Sequence, residues 1–252
     1  MIEVCAIASG SNGNCYYVGN EEEAVLIDAG ISCKQILLRM EQRGLDAAKI
    51  KAVFLTHEHA DHIRGVRVLS KKLGIPAFYT YGTWNKAHKS SKAPFHRYIH
   101  IGEPLQWGSF TIHAFTKNHD ANEPCSYRVE SDGHNVGVMT DIGSVCQNVI
   151  EHFQLCNVVF LESNYDDDML VNGGYPWYLK QRILSDVGHM SNAQALALIT
   201  EYGNGILDTV FLSHLSGENN TPELAFEAFK SLHETYNFVK TSRSEATEVF
   251  KY

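Results

Sequence analysis

Residues 56–62 read Thr-His-Glu-His-Ala-Asp-His, at the end of the apolar run Ile-Lys-Ala-Val-Phe-Leu-Thr over 50–56. His57, His59, Asp61 and His62, all able to bind metal, fall within six residues. On extended backbone, side chains at i and i+2 share a side, so His57 and His59 face one point. Asp61 and His62 then turn toward a second point. Mixed imidazole and carboxylate donors suit zinc, manganese or iron. The spacing is not the helical i,i+4 pairing of His-Glu-x-x-His. A polar loop with surface histidines is the alternative, and its occurrence directly after a β-rich apolar run makes it the weaker account.

Two ions need more than four ligands, and three later residues share one context. His119 follows the strand-like run SFTIHAFTKN, Asp141 follows NVGVMT, and His214 follows LDTVFLS. Each lies just past the C-terminal end of an apolar strand, where a sheet presents side chains to one rim. His113 lies inside its run and reads as a packing residue. His88, His96, His100, His134, His152 and His233 have no comparable setting and read as surface or structural.

The rest of the chain supplies the frame. Further strands are expected at IEVCAIA, CYYV, AVLIDAG, IPAFYT, CSYRVE and CNVVFLES, with EATEVF as a closing strand. Ser32 starts a helix, with Gln35 as capping-box partner and Gly44 as the stop. A second helix is expected near 144–154. Ser191 and Gln194 form another capping box, and Thr221-Pro222 opens a last long helix. Strand runs in both halves, with helices interleaved, predict two sheets packed face to face with helices outside. At 252 residues, 44% hydrophobic and 20% charged, the chain is expected to form one domain over 1–252. The six cysteines show no C-x-x-C pair, which suits buried thiols in a reducing compartment. No apolar run approaches the ~18 residues of a membrane span, so a cytoplasmic protein without membrane contact is expected.

His-x-His-x-Asp-His at 57–62 is the signature of the metallo-β-lactamase superfamily, and His119, Asp141 and His214 match its later ligand positions in order. The chain resembles the WalJ (YycJ/VicX) family more closely, through SGSNGNCYYV, LIDAGISCKQI, THEHADHIRGV, TDIG, ESNYD, YPWYLKQRILSDVGHMSN and LSHLSGENN. The resemblance implies an α/β fold, a four-layer αββα sandwich of two mixed sheets. It implies two divalent ions, zinc or manganese with iron as a third choice. One would be held by His57, His59 and His119, the other by Asp61, His62 and His214, with Asp141 bridging. Five neutral histidines and two carboxylates around two divalent ions would leave the site a formal charge of about +2, attractive to a phosphodiester. The implied activity is a phosphodiesterase, a 5′→3′ DNA exonuclease acting in repair. A metal-bridged hydroxide would attack phosphorus, and Asp61 would orient it.

Two segments bear on the substrate. Residues 81–102 hold Lys86, Lys89, Lys92 and Arg97 and no acid, interleaved with Trp84, Phe95 and Tyr98, in a chain of formal charge −8. Basic groups among aromatics suit a nucleic-acid backbone and its bases; a solvated surface with aromatics turned inward is the alternative. The glycine-rich loop SGSNGN over 9–14 places Ser11 and Asn12 where backbone N–H groups reach phosphate, or else forms a tight hairpin. His189 lies two residues before Ser191, outside the seven ligand positions, and is expected to act as a proton donor or phosphate contact. A small-molecule hydrolase of glyoxalase or lactonase type would use the same ligands. The family's link to two-component signalling also allows a regulatory protein. Oligomeric state is not legible.

Overall fold

Apolar runs too short for a buried helix, each bounded by a turn, pair into two sheets in a computed structural model that describes residues 1–252. The first half contributes β1 (Glu3–Ala8), β2 (Cys15–Gly19), β3 (Ala24–Ile27), β4 (Ile50–Phe54), β5 (Ala77–Tyr79) and β6 (His96–Tyr98). Between them run α1 (Cys33–Gln42), α2 (Ala60–Ile63), α3 (Val66–Leu73) and α4 (Tyr81–Lys86). The second half contributes β7 (Leu105–Trp107), β8 (Phe110–Thr116), β9 (Cys125–Ser131), β10 (His134–Met139), β11 (Val158–Glu162), β12 (Thr209–Ser213) and β13 (Asn237–Lys240). Its helices are α5 (Gln147–Phe153), α6 (Asp167–Asn172), α7 (Trp177–Ile183), α8 (Asn192–Tyr202) and α9 (Pro222–Ala228). The chain then returns to the first sheet as β14 (Phe250–Lys251).

The strand orders are β14-β1-β2-β3-β4-β5-β6 and β13-β12-β11-β10-β9-β8-β7. Each sheet is antiparallel at one end and parallel at the other, from β3 through β6 and from β10 through β13. Both faces of the inner strands are covered. Ala52 and Phe54 of β4 join the core between the sheets, while Val53 packs outward under the helices. A second outer core lies beneath α5, α8 and α9. These are the four layers expected from the resemblance. Parallel strands need crossover connections, and helices supply them, so the C-terminal strand ends collect along one rim. Strand β8 joins that rim because two antiparallel steps, to β9 and then β10, restore its direction.

Local signals act where expected, with differences in extent. Ser191 and Gln194 form a reciprocal capping box on α8, worth about 1 kcal/mol. Ser32 caps α1 by accepting from the Gln35 N–H, without the reciprocal bond. The helix opened by Thr221-Pro222 stops after seven residues instead of running on. The closing strand is two residues long. Helices α6 and α7 occupy a stretch with no helical period in sequence. They are held by a separate small cluster of Tyr165, Leu170 and Ile183, with Tyr175 and Leu179 against it. No helix is long and apolar enough to cross a membrane.

Candidate metal centre

Strand β4 delivers Thr56–His62 to the rim. The chain bends at Thr56 and Glu58 instead of running on as a strand, and still brings His57 Nε2 and His59 Nδ1 to 3.0 Å, with His119 Nε2 3.3 Å from the same His59 nitrogen. His59 occupies the N-cap position of α2 without a side-chain cap bond, and the single turn of that helix carries Asp61 and His62. Asp61 Oδ2 lies 3.4 Å from both His62 Nε2 and His214 Nε2. Asp141 stands between the two groups. Its Oδ1 is 3.3 Å from His214 Nε2 and 3.8 Å from His119 Nε2, and its Oδ2 is 3.2 Å from His62 Nε2. The structure thus brings together all seven residues singled out from the sequence, as two triads that share one carboxylate.

The hydrogen bonds behind these residues determine what the triads offer. Gly188 O, which can only accept, lies 3.1 Å from His119 Nδ1, so Nδ1 carries the proton and Nε2 presents a lone pair. Thr56 Oγ1 gives its proton to Asp28 Oδ2 and accepts from His57 Nδ1, leaving His57 Nε2 bare as well. Burial lowers His57 well below the ordinary histidine range and lowers His119 to about 3, so both rings are neutral. On the other side, burial opposes protonation of His62, but Asp141, Asp61 and Asp28 overcome it and raise the ring well above its usual value. His214 is raised to about 10 against its burial, by Asp141, Asp61 and Glu162. Asp141 Oδ2 is buried with no hydrogen bond aligned onto it. Bare ring nitrogens converging beside an orphaned carboxylate oxygen, and carboxylates that draw protons onto their neighbours, are a donor set short of positive charge. That set fits divalent cations.

Two acids escaped the sequence analysis. Asp28, at the end of β3, accepts from the Thr56 N–H and hydroxyl and lies 2.7 Å from His62 Nδ1. Glu162, the last residue of β11, lies 3.2 Å from His214 Nδ1 and 2.8 Å from His189 Nδ1. Both occupy the setting that singled out His119, Asp141 and His214, the end of an apolar strand at the rim, and that rule would have found them. Their presence corrects the charge expected for the site. The four carboxylates Asp28, Asp61, Asp141 and Glu162 would offset two divalent ions, so counting ligands alone overstates the positive charge such a site would offer a phosphodiester. Two cations lie close by: the buried Lys117 donates to Thr140 O at 2.7 Å, and Arg182 pairs with Asp120, whose other oxygen is 3.4 Å from His119 Nε2.

Backbone strain concentrates here too. Asp28, Asp141 and His214 have φ of 63°, 57° and 56°, left-handed values that cost a non-glycine residue on the order of 1 kcal/mol or more. Asp132 is the other such residue, in the Asp-Gly turn between β9 and β10 where that conformation is ordinary.

His189 stands at the edge of the second triad with its side chain 16% exposed. Its ring stacks 5.2 Å from His214, and Nδ1 is oriented by Glu162, so Nε2 is the free nitrogen. Glu162 is itself held by the N–H groups of Ile142 and Met190. The turn before His189 admits no side chain at Gly188, where a Cβ would come within 2.2 Å of Ile183 O.

The substrate-binding candidates are more scattered. Lys86 and Lys89 are exposed, and Lys92 lies over Trp84, which His96 also stacks against. Arg97 is exposed as well but lies apart from them. It pairs in register with Phe78 on the inner face of its sheet and packs on Trp107, because strand alternation sends neighbours to opposite faces. Ser11 and Asn12 are exposed at the tip of their loop, and the buried Asn14 faces the site, 3.2 Å from His62 Nε2.

Residues 23–214 match the family described as Beta-lactamase superfamily domain. Over 222 residues the chain is 36% identical to the exodeoxyribonuclease YycJ of Bacillus anthracis, which covers 87% of this chain and 84% of that protein. The chain belongs to the YycJ/WalJ family of the β-lactamase superfamily. A second YycJ/WalJ relative, the exodeoxyribonuclease WalJ of Streptococcus pneumoniae strain D39, is 36% identical over 229 residues, 87% of this chain and 83% of that protein. The metallo-beta-lactamase fold protein YhfI of Bacillus subtilis shares the fold over 100% of both chains, with a TM-score of 0.75 at 20% identity. Membership of the YycJ/WalJ family makes the chain a metal-dependent hydrolase.

Proposed function

We infer that this protein is an exodeoxyribonuclease that uses two divalent ions, zinc or manganese with iron as the third choice, and degrades DNA 5′→3′ as a single domain in the cytoplasm. The observation that carries the reading is the pair of donor triads sharing Asp141, in a chain of the YycJ/WalJ family. His57, His59 and His119 would hold one ion; Asp61, His62 and His214 the other; Asp141 both. When bound, the two cations supply charge neutralisation at phosphorus and an acidified water. The protein's own groups do the rest. Asp28, Thr56, Gly188 and Glu162 hold the imidazoles in the required tautomer and direction. Asp61, on the turn that begins α2, orients the attacking oxygen. His189, with Nδ1 tied to Glu162, keeps Nε2 free to give a proton to the leaving oxygen or to hold a non-bridging one. The exposed Lys86, Lys89 and Arg97, with Lys92, and the Ser11–Asn12 loop tip are the groups available to the DNA backbone.

The test is digestion of 5′- and 3′-end-labelled DNA by protein of measured metal content, beside an Asp141→Ala variant. Stepwise release from the 5′ end, lost together with metal in the variant, is expected. Hydrolysis of thioesters or lactones with no attack on DNA would overturn the reading.

A further inference from the structure

The helical hairpin α6–α7 is not needed to build the metal centre, yet it is packed against it. Lys180 Nζ donates to Val171 O at 2.6 Å and ties the two helices together. Arg182 Nε donates to Asp120 Oδ2 at 2.6 Å, and the other Asp120 oxygen lies 3.4 Å from His119 Nε2. Arg182 is therefore one carboxylate away from the first triad. Its side chain is half exposed, and no hydrogen bond engages its terminal nitrogens. On the same helix, Trp177 and Tyr178 are 67% and 74% exposed.

Helix geometry separates these two rings. Tyr178 precedes Arg182 by four residues, so it lies about 40° from it around the axis and one turn farther out, about 6 Å along. Trp177 lies about 140° from Arg182 and faces elsewhere. Lys180 and Ile183 occupy the buried side of α7; on the opposite side Tyr178 is exposed and Arg182 is engaged through Nε by Asp120. A guanidinium with free donors at the reaction rim, followed outward by an unpaired aromatic face, has the order phosphate then base. A strand entering the site presents that same order. Protein partners also favour exposed Tyr and Arg, but Arg182 is held at the rim by Asp120, where a partner protein would occlude the substrate's entry.

We propose that Tyr178 is the platform on which a base of the bound DNA strand stacks, with the terminal nitrogens of Arg182 contacting the adjoining phosphate. The proposal rests on the exodeoxyribonuclease reading. Steady-state digestion of single-stranded oligonucleotides by the whole protein tests it, with 2-aminopurine placed at successive positions from the 5′ end. Tyr178→Ala is expected to raise KM about tenfold with kcat changed less than twofold, within the range for loss of one base–aromatic stack. Tyr178→Phe is expected to restore KM, and quenching of 2-aminopurine at one position is expected to disappear only in the alanine variant. Trp177→Ala serves as the control on the neighbouring face. A KM within twofold of the parent protein for Tyr178→Ala, or an equal rise for Trp177→Ala, overturns the stacking role while DNA digestion by the parent protein stands. A parent protein that digests no DNA with any of the three metals overturns the underlying function and the stacking role with it.

Discussion

His189 shows how one residue's role follows from which nitrogen is already in use. Glu162 lies 2.8 Å from Nδ1, so the ring points Nε2 outward. His189→Ala is expected to retain two metal equivalents and to slow cleavage roughly 10²–10⁴-fold, the range for a lost acid or base. Metal analysis alongside kinetics decides the point, because loss of one equivalent would make His189 a ligand. Asp28 acts one bond farther away, through His62. Asp28→Asn keeps the shape but removes the charge facing His62 Nδ1. Metal affinity, measured by competition with a chelator, is expected to fall about 10–100-fold, as for other partners of ligating histidines. An unchanged affinity would show that Thr56 alone orients the ring.

Among the elements, the segment from α4 to β6 shows where linear charge and spatial charge part company. Four cations without an acid read as one patch in sequence, but the strand places Arg97 on Trp107 and leaves the three lysines on the other side. Changing Lys86, Lys89 and Lys92 together to Glu is expected to weaken DNA affinity and flatten its dependence on salt, with metal content unchanged. Fluorescence anisotropy across a salt series checks this, since each lost phosphate contact lowers the slope by about one. An unaltered slope would remove the segment from the interface. Arg97 is left out of the variant because its packing on Trp107 makes it a contact between the edges of the two sheets.

For the molecule as a whole, stability against acid is readable far from the metal. His152 lies flat on Phe115, with ring centroids 4.0 Å apart, and accepts from Arg128 Nε. Burial, then Arg128, holds it down from 6.5 to about 4. The unfolded chain therefore takes up this proton first as pH falls, and the folded state takes it up only near pH 4. Its contribution is complete above about pH 6.5 and is lost as pH drops from there toward about 4. Urea unfolding of protein stripped of metal, repeated across that window, is expected to show a shallower fall for His152→Gln than for the parent chain. Equal slopes would assign acid sensitivity to other groups.

The sequence alone determined the sandwich and the seven-residue donor set. Runs such as IKAVFLT and LDTVFLS are apolar on both faces, which requires cover on both, and a histidine or aspartate directly after such a run is carried to the rim where the parallel strands end. Three things were decided only by the tertiary structure. Asp28 and Glu162 gained meaning when their strand ends came to lie beside His62, His189 and His214, which lie 27 to 52 residues away in the chain; their charge would offset the positive balance that counting ligands suggests. Arg97 left the lysines because the pairing of β6 with β5 chose its face. Helices α6 and α7, at six and seven residues, are too short to show a period or to hold their shape alone. Their form comes from packing around Tyr165, Leu170 and Ile183, and that packing brings Arg182 to Asp120, beside His119.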